Sequence, residues 1–198
     1  MRKFSIRAAC YNICMWIAIL IVILVVVVVT HAAWSSMVLG YLLTGVPFLG
    51  SKKEDVERIF KAVVFRPGQI FFDLGSGDGK IIFTVTKNAS LRAFGFELAR
   101  WPLYVSRLRW LFVRYSNHTN HGSRVKFLRK NYLHHSWREA DVIFCYLSHK
   151  SMIKIEQKFQ KECRPGTYLL SNSFELPNLP PTEKIPLATG FAFVYCKE

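Results

Sequence analysis

The sequence predicts an α/β chain: an open, mainly parallel sheet with helices on both faces, preceded by one transmembrane helix. Three observations carry this. Gln69 to Lys80 (QIFFDLGSGDGK) runs a short apolar segment, Ile70, Phe71 and Phe72, into Asp73 and then into glycines at alternate positions, Gly75, Gly77 and Gly79. That is the pattern of a buried parallel strand entering a tight turn. Further on, apolar runs of strand length alternate with segments of helical period until a closing strand at Phe191 to Cys196. Finally, no Asp, Glu, Lys or Arg occurs from Ala8 to Ser51, and thirteen Ile, Leu and Val residues crowd between Ile13 and Val29.

At about −0.3 to −0.6 kcal/mol each, those thirteen amount to roughly −4 to −8 kcal/mol of insertion tendency, which predicts a membrane helix near Tyr11 to Thr30. The rival reading is a secretory signal peptide, with Arg2, Lys3 and Arg7 as its basic start and Thr30-His-Ala32 as a poor cleavage site. A second uncharged piece, Trp34 to Gly50, is interrupted by Thr44, Gly45 and Pro47. It reads as a connection after a single span, the alternative being an interfacial segment or a hairpin. The expected division is therefore 1–34 for the basic start and span, 35–51 for an apolar connection, and 52–198 for one globular domain.

That domain holds 24 basic and 13 acidic residues, a net +11. Such an excess suits a solvated basic surface, attraction to anionic lipid, or nucleic acid. The five cysteines, Cys10, Cys14, Cys145, Cys163 and Cys196, are odd in number and lack paired spacing, so reduced thiols are expected.

Within the domain, Lys52 to Val64 reads as a helix because Val56, Ile59, Phe60 and Val63 recur at spacings of three and four, and Arg66-Pro-Gly68 stops it before the first strand. Lys80 to Lys87 is rich in β-branched residues, yet a parallel sheet needs a crossover there and Ile81, Ile82, Val85 and Ala89 fit one helical face. Leu91 to Leu98 is the second strand. Ala99 to Tyr115 is a helix whose apolar stripe is Trp101, Tyr104, Val105, Leu108, Leu111, Phe112 and Tyr115, with Arg100, Arg107 and Arg114 on another face. Val125 to Leu128, Asp141 to Leu147 and Thr167 to Ser173 read as strands three to five, with a helix at Met152 to Glu162. The loop histidines His118 and His121, and the adjacent His134 and His135, have no accompanying carboxylate or cysteine, so no metal site is expected.

The glycine turn does not follow the dinucleotide pattern G-x-G-x-x-G, which would need glycine where Lys80 stands. Asp73 at its mouth repels a pyrophosphate and accepts hydrogen bonds from an ammonium group, such as that of S-adenosylmethionine. An acid for the ribose hydroxyls belongs at the end of the second strand, and Glu97 stands there. Asp73-Leu-Gly-Ser-Gly-Asp-Gly79 and Gly95-Phe-Glu-Leu98 resemble the first two motifs of class I S-adenosylmethionine-dependent methyltransferases. Gly45-Val-Pro-Phe-Leu-Gly-Ser51 and Lys53-Glu-Asp-Val-Glu-Arg-Ile-Phe60, behind a membrane segment, resemble the small membrane-anchored protein-lysine methyltransferases. Mitochondrial members of that family modify the adenine nucleotide translocase and the ATP synthase c-subunit.

The resemblance implies a Rossmann-like methyltransferase sheet and S-adenosylmethionine as cofactor. It implies a binding set of Asp73, Leu74, Gly75, Ser76, Gly77, Asp78, Gly79, Glu97, Asn131 and Tyr132. Asn131 stands where related enzymes usually place an acid for the adenine amino group; its amide oxygen can accept the same bond without charge, and a plain turn residue is the alternative. Cys145-Tyr-Leu-Ser148 lacks the Asn-Pro-Pro-Tyr or Asp-Pro-Pro-Tyr tetrapeptide of enzymes that methylate exocyclic amines of nucleobases, which counts against DNA and some RNA substrates, and no nucleic-acid partner is expected. The implied partner is a membrane protein, and the implied location a single pass in a bacterial inner or a mitochondrial membrane. Phe48, Tyr132, Tyr146 and Phe174 are candidates to line a lysine channel; no catalytic residue is assigned. A methyltransferase for a membrane-dissolved lipid or quinone, and an inactive cofactor-binding scaffold, are the alternatives.

Overall fold

The computed structural model describes residues 2–44, 52–115 and 122–198. It opens with a helix, α1 (Arg2–Thr44), and continues α2 (Lys53–Lys61), β1 (Ile70–Leu74), α3 (Lys80–Asn88), β2 (Arg92–Phe96), α4 (Arg100–Tyr115) and β3 (Arg124–Leu128). A short 3-10 turn (Tyr132–His134) leads to β4 (Val142–Cys145), α5 (His149–Glu162), β5 (Tyr168–Asn172), β6 (Glu183–Pro186) and β7 (Phe191–Cys196). The strands form one seven-stranded sheet in the order β3-β2-β1-β4-β5-β7-β6. Neighbours from β3 to β5 pair in parallel, and β7 runs antiparallel to both β5 and β6.

Alternation along each strand divides the core into two layers. Phe71, Ala93, Phe144, Leu170 and Val194 face α2, α3 and α4, where they meet Val56, Ile59, Phe60, Ile82, Val85 and Leu103. Ile70, Phe72, Leu74, Ile143, Leu169 and Tyr195 face the other way onto Trp137 and the α5 residues Met152, Ile155 and Phe159. The β-branched run after Lys80 is helical as the crossover argument requires, with Ile81, Ile82 and Val85 all buried. The order also creates a reversal between β1 and β4, and the crevice beyond the carboxyl ends of strands at such a reversal is where open α/β sheets bind ligands.

One expectation is corrected. The apolar stripe of α4 does not face the core: Pro102, Leu103 and Ser106 are the buried positions, while Trp101, Tyr104, Leu108, Leu111, Phe112 and Tyr115 are exposed and Val105 is half-buried. The helix is apolar on two sides, and the narrower side, anchored by Leu103 with Trp110 and Val113, is the one that packs. α1 continues unbroken through Trp34 to Thr44, and 45–51, with Gly45 and Pro47, lie outside the described residues. The sequence gives no sign of the strand Glu183–Pro186, since a single apolar Ile185 between Lys184 and Pro186 carries no alternation signal. Its Pro186 is tolerated because β6 is an edge strand.

Candidate functional site

Asp73 is the fourth residue of β1, flanked in the sheet by Gly95 of β2 and Phe144 of β4. It is only 2% exposed, and its Oδ2 has no hydrogen-bond partner. Burial, then the nearby Glu97 and Asp78 carboxylates, push its pKa well above the usual carboxylate range. Leu74, also buried, ends the strand and contributes core packing. The chain then turns through Gly75, Ser76, Gly77, Asp78 and Gly79. Both Gly75 and Ser76 N–H donate to the Phe96 carbonyl (2.9 Å each), and the Gly79 N–H to Ser76 O (2.9 Å).

Glycine is required at this turn on two counts. Gly75, Gly77 and Gly79 all have positive φ (79°, 52° and 83°). A Cβ on Gly79 would meet Phe127 Cζ at 2.7 Å, and one on Gly75 would meet Leu147 Cδ2 at 2.9 Å. Gly95 in β2 is as tightly held although its φ is ordinary, because a Cβ there would lie 2.7 Å from Ser76 Oγ and 2.8 Å from Phe127 Cδ1. Ser76 is thus seated in the space that Gly95 leaves, with its own Oγ buried and unpartnered.

Glu97, just beyond β2, closes the other wall. Its Oε2 accepts from the Gly77 N–H (3.0 Å) and its Oε1 from the Ala99 N–H (2.8 Å), so one carboxylate joins the glycine turn to the start of α4. Each oxygen keeps a further lone pair for a ligand hydroxyl. Asp78 at the tip is held by Arg109 of α4, which pairs with Oδ2 and lies over the Phe83 ring (5.2 Å). Arg109 was not among the sequence-predicted residues. Its signal, an arginine on the packed rather than the exposed side of α4, exists only once the buried face is known.

Asn131 and Tyr132 stand apart from this turn, after β3. Asn131 caps the 3-10 turn, its Oδ1 accepting from the Leu133 N–H (3.0 Å), as the turn reading has it; one lone pair remains. Tyr132 is half-buried on the α5 side, its phenol raised by burial against a hydrogen bond from Ser151. The proposed channel aromatics divide between the layers: Tyr132 and Phe174 pack on the α5 side, Tyr146 on the α2–α4 side, and Phe48 lies outside the described residues. His135 packs against Phe72 and Phe96 (5.5 and 4.9 Å between ring centres), and burial lowers its pKa. A groove of about 430 Å³ lined by His134, Arg138, Lys158 and Lys161 lies beside α5, away from the glycine turn.

At the carboxyl end of β4, burial pushes the Cys145 thiol up to about 12, which leaves it protonated and poorly nucleophilic. The turn after β5 is strained: Ser173, a non-glycine residue, has φ 73°, and Ser171 Oγ donates to the Phe174 carbonyl (2.5 Å).

A buried carboxylate with an unpartnered oxygen, a turn too close for side chains and an acid with spare lone pairs fit a ligand that brings a cation and ribose hydroxyls, as S-adenosylmethionine does. The comparisons with known proteins agree in fold. Over 75% of this chain and 93% of its own, the crystal structure of an RNA methyltransferase from Salinibacter ruber with S-adenosyl-L-homocysteine superposes with a TM-score of 0.68 at 20% identity. The adenine nucleotide translocase lysine N-methyltransferase of Mus musculus is 28% identical over 151 residues, 76% of this chain and 62% of that protein. This chain thus spans less than two thirds of that relative. A protein-lysine N-methyltransferase of Saccharolobus islandicus is 27% identical over 146 residues, 73% of this chain and 87% of its own. The model of the ANTKMT methyltransferase domain matches residues 73–183, from the buried Asp73 to the first residue of β6. With more than half its length inside that match, and with the glycine turn and Glu97 wall just described, the chain belongs to the ANTKMT methyltransferase domain family.

Proposed function

We propose that this protein is an S-adenosylmethionine-dependent protein-lysine N-methyltransferase, anchored by a single membrane span and acting on a lysine of a membrane protein. The observation that carries the reading is the unpartnered Oδ2 of Asp73, buried beside a turn in which Gly75, Gly77 and Gly79 bring backbone rather than side chains to the crevice. A charged group so placed is costly unless a cation satisfies it. Two relatives named as lysine methyltransferases, one of them matched over 87% of its length, support the same chemistry.

When bound, the cofactor supplies a methyl group already activated on a sulfonium. The remaining task of the protein is alignment and water exclusion. Asp73 would hold the ammonium group, Glu97 the ribose hydroxyls, and the remaining lone pair of the Asn131 amide oxygen would accept from the adenine. For the anchor, α1 includes an apolar stretch, Tyr11–Ser35, unburied by the rest of the protein. Its 25 residues reach about 37 Å as a helix, enough for a hydrocarbon core of about 30 Å.

The test is transfer of radiolabelled methyl groups into membranes by the full chain, with label partitioned between protein and lipid extract and the modified residue identified by mass spectrometry. Label in lysine of a membrane protein is expected. Label chiefly in lipid, or none from a chain that binds the cofactor, would overturn the reading.

A further inference from the structure

The exposed face of α4 has no counterpart in the site just described. At about 100° per residue, Tyr104, Leu108, Leu111, Phe112 and Tyr115 fall within one narrow arc, opposite the Leu103 and Ser106 side that packs on the sheet. They are 59%, 56%, 53%, 69% and 82% exposed. Five large apolar side chains in one strip are more than scattered surface hydrophobics. Arg100 and Arg114, both exposed, line one edge of the strip, with Arg107 midway between them donating to the Phe127 carbonyl (2.9 Å).

We infer that this face of α4 is a second membrane contact, seated at the headgroup level of an anionic bilayer with its axis along the surface. Three observations select a bilayer as the occupant. The flanking arginines, on a domain of net +11, complement acidic headgroups. Tyrosine and phenylalanine among leucines are the side chains that settle at a membrane–water boundary. And α1, whose Tyr11–Ser35 stretch is apolar and unburied, comes within contact distance of α4, which brings the strip beside any membrane that α1 crosses.

The placement bears on the site. Glu97 bonds the Ala99 N–H just before α4 begins, and Arg109 of α4 holds Asp78. Setting α4 on the bilayer therefore sets the mouth of the glycine turn close to the membrane plane, whatever the acceptor.

The full chain, reconstituted into phosphatidylcholine vesicles with and without phosphatidylglycerol, tests this when the lipids carry a photoactivatable carbene group in the acyl chain. Peptides from 101–115 should be labelled together with those of α1, and more strongly in the anionic vesicles. Leu108→Glu with Phe112→Glu should reduce α4 labelling roughly tenfold and leave α1 labelling unchanged. Leu111→Ser, a milder change at an exposed position, should lower it in the same direction without altering the thermal melt. Arg100→Gln with Arg114→Gln should remove the increment due to phosphatidylglycerol. Labelled α1 with unlabelled α4, labelling that ignores the glutamates, or α4 crosslinked to another protein or to a second copy in place of lipid would overturn the inference.

Discussion

At the residue scale, the role proposed for Asp73 would make its titration part of ligand binding. Because burial raises the folded pKa above the unfolded one, the native state holds a proton that the unfolded state has lost across the window between them. The ligand-free domain should therefore lose stability as pH rises through that window, a negative slope that Asp73→Asn removes; urea melts across a pH series measure it. Binding an ammonium ligand favours the ionised carboxylate, so S-adenosylmethionine or its product should bind more tightly as pH rises through the same window and release a proton. Calorimetry in two buffers of different ionisation enthalpy reads that proton directly, and its absence in wild type would show that Asp73 does not face the cation. Gly95 supports a second expectation. Gly95→Ala should cost about 1–3 kcal/mol of stability through overpacking against Ser76 and Phe127, and weaken ligand binding in parallel. Ser76→Gly in the same chain should restore part of both, as a double-mutant cycle on thermal melts and affinities would show.

At the scale of elements, α4 serves the glycine turn and the outer surface at once. Arg109→Met should leave the melt within about 1 kcal/mol, because its ion pair with Asp78 is part-exposed, while loosening the turn and lowering ligand affinity several-fold. Titration of the variant against wild type checks this; equal affinity would mean the turn holds its shape through Glu97 and the Phe96 carbonyl alone. The same helix shows where periodicity stops being informative. A stripe at Tyr104, Leu108, Leu111 and Phe112 and a second at Leu103, Trp110 and Val113 are both compatible with a buried face, and pattern alone gives preference to the larger. The sheet takes the smaller, which puts Leu103 in the core and Arg109 beside Asp78.

For the whole molecule, the buried cores of both layers are, among the described residues, built from Val56 to Tyr195, without the described side chains of α1. Removing residues 1–35 should therefore leave folding and S-adenosylmethionine affinity intact, while methylation of an acceptor in native membranes falls by an order of magnitude or more through lost local concentration. A melt, a titration and a methylation assay on membranes, run side by side, separate these effects; unchanged methylation would mean that the anchor does not serve access to the acceptor.

The sequence by itself determined the elements that short-range chemistry dictates. Asp73 with its three glycines, Glu97 at the next strand end and the uncharged stretch from Ala8 onward are legible because strand ends, positive-φ turns and long apolar helices each impose residue types on neighbouring positions. Tertiary structure decided what depends on elements distant in the chain. That Gly95 makes room for Ser76, that Arg109 secures Asp78, that Cys145 is held protonated beneath the sheet end, and that α4 turns its larger apolar stripe outward all arise when separate segments compete for the same space, and no periodicity within one segment records that competition.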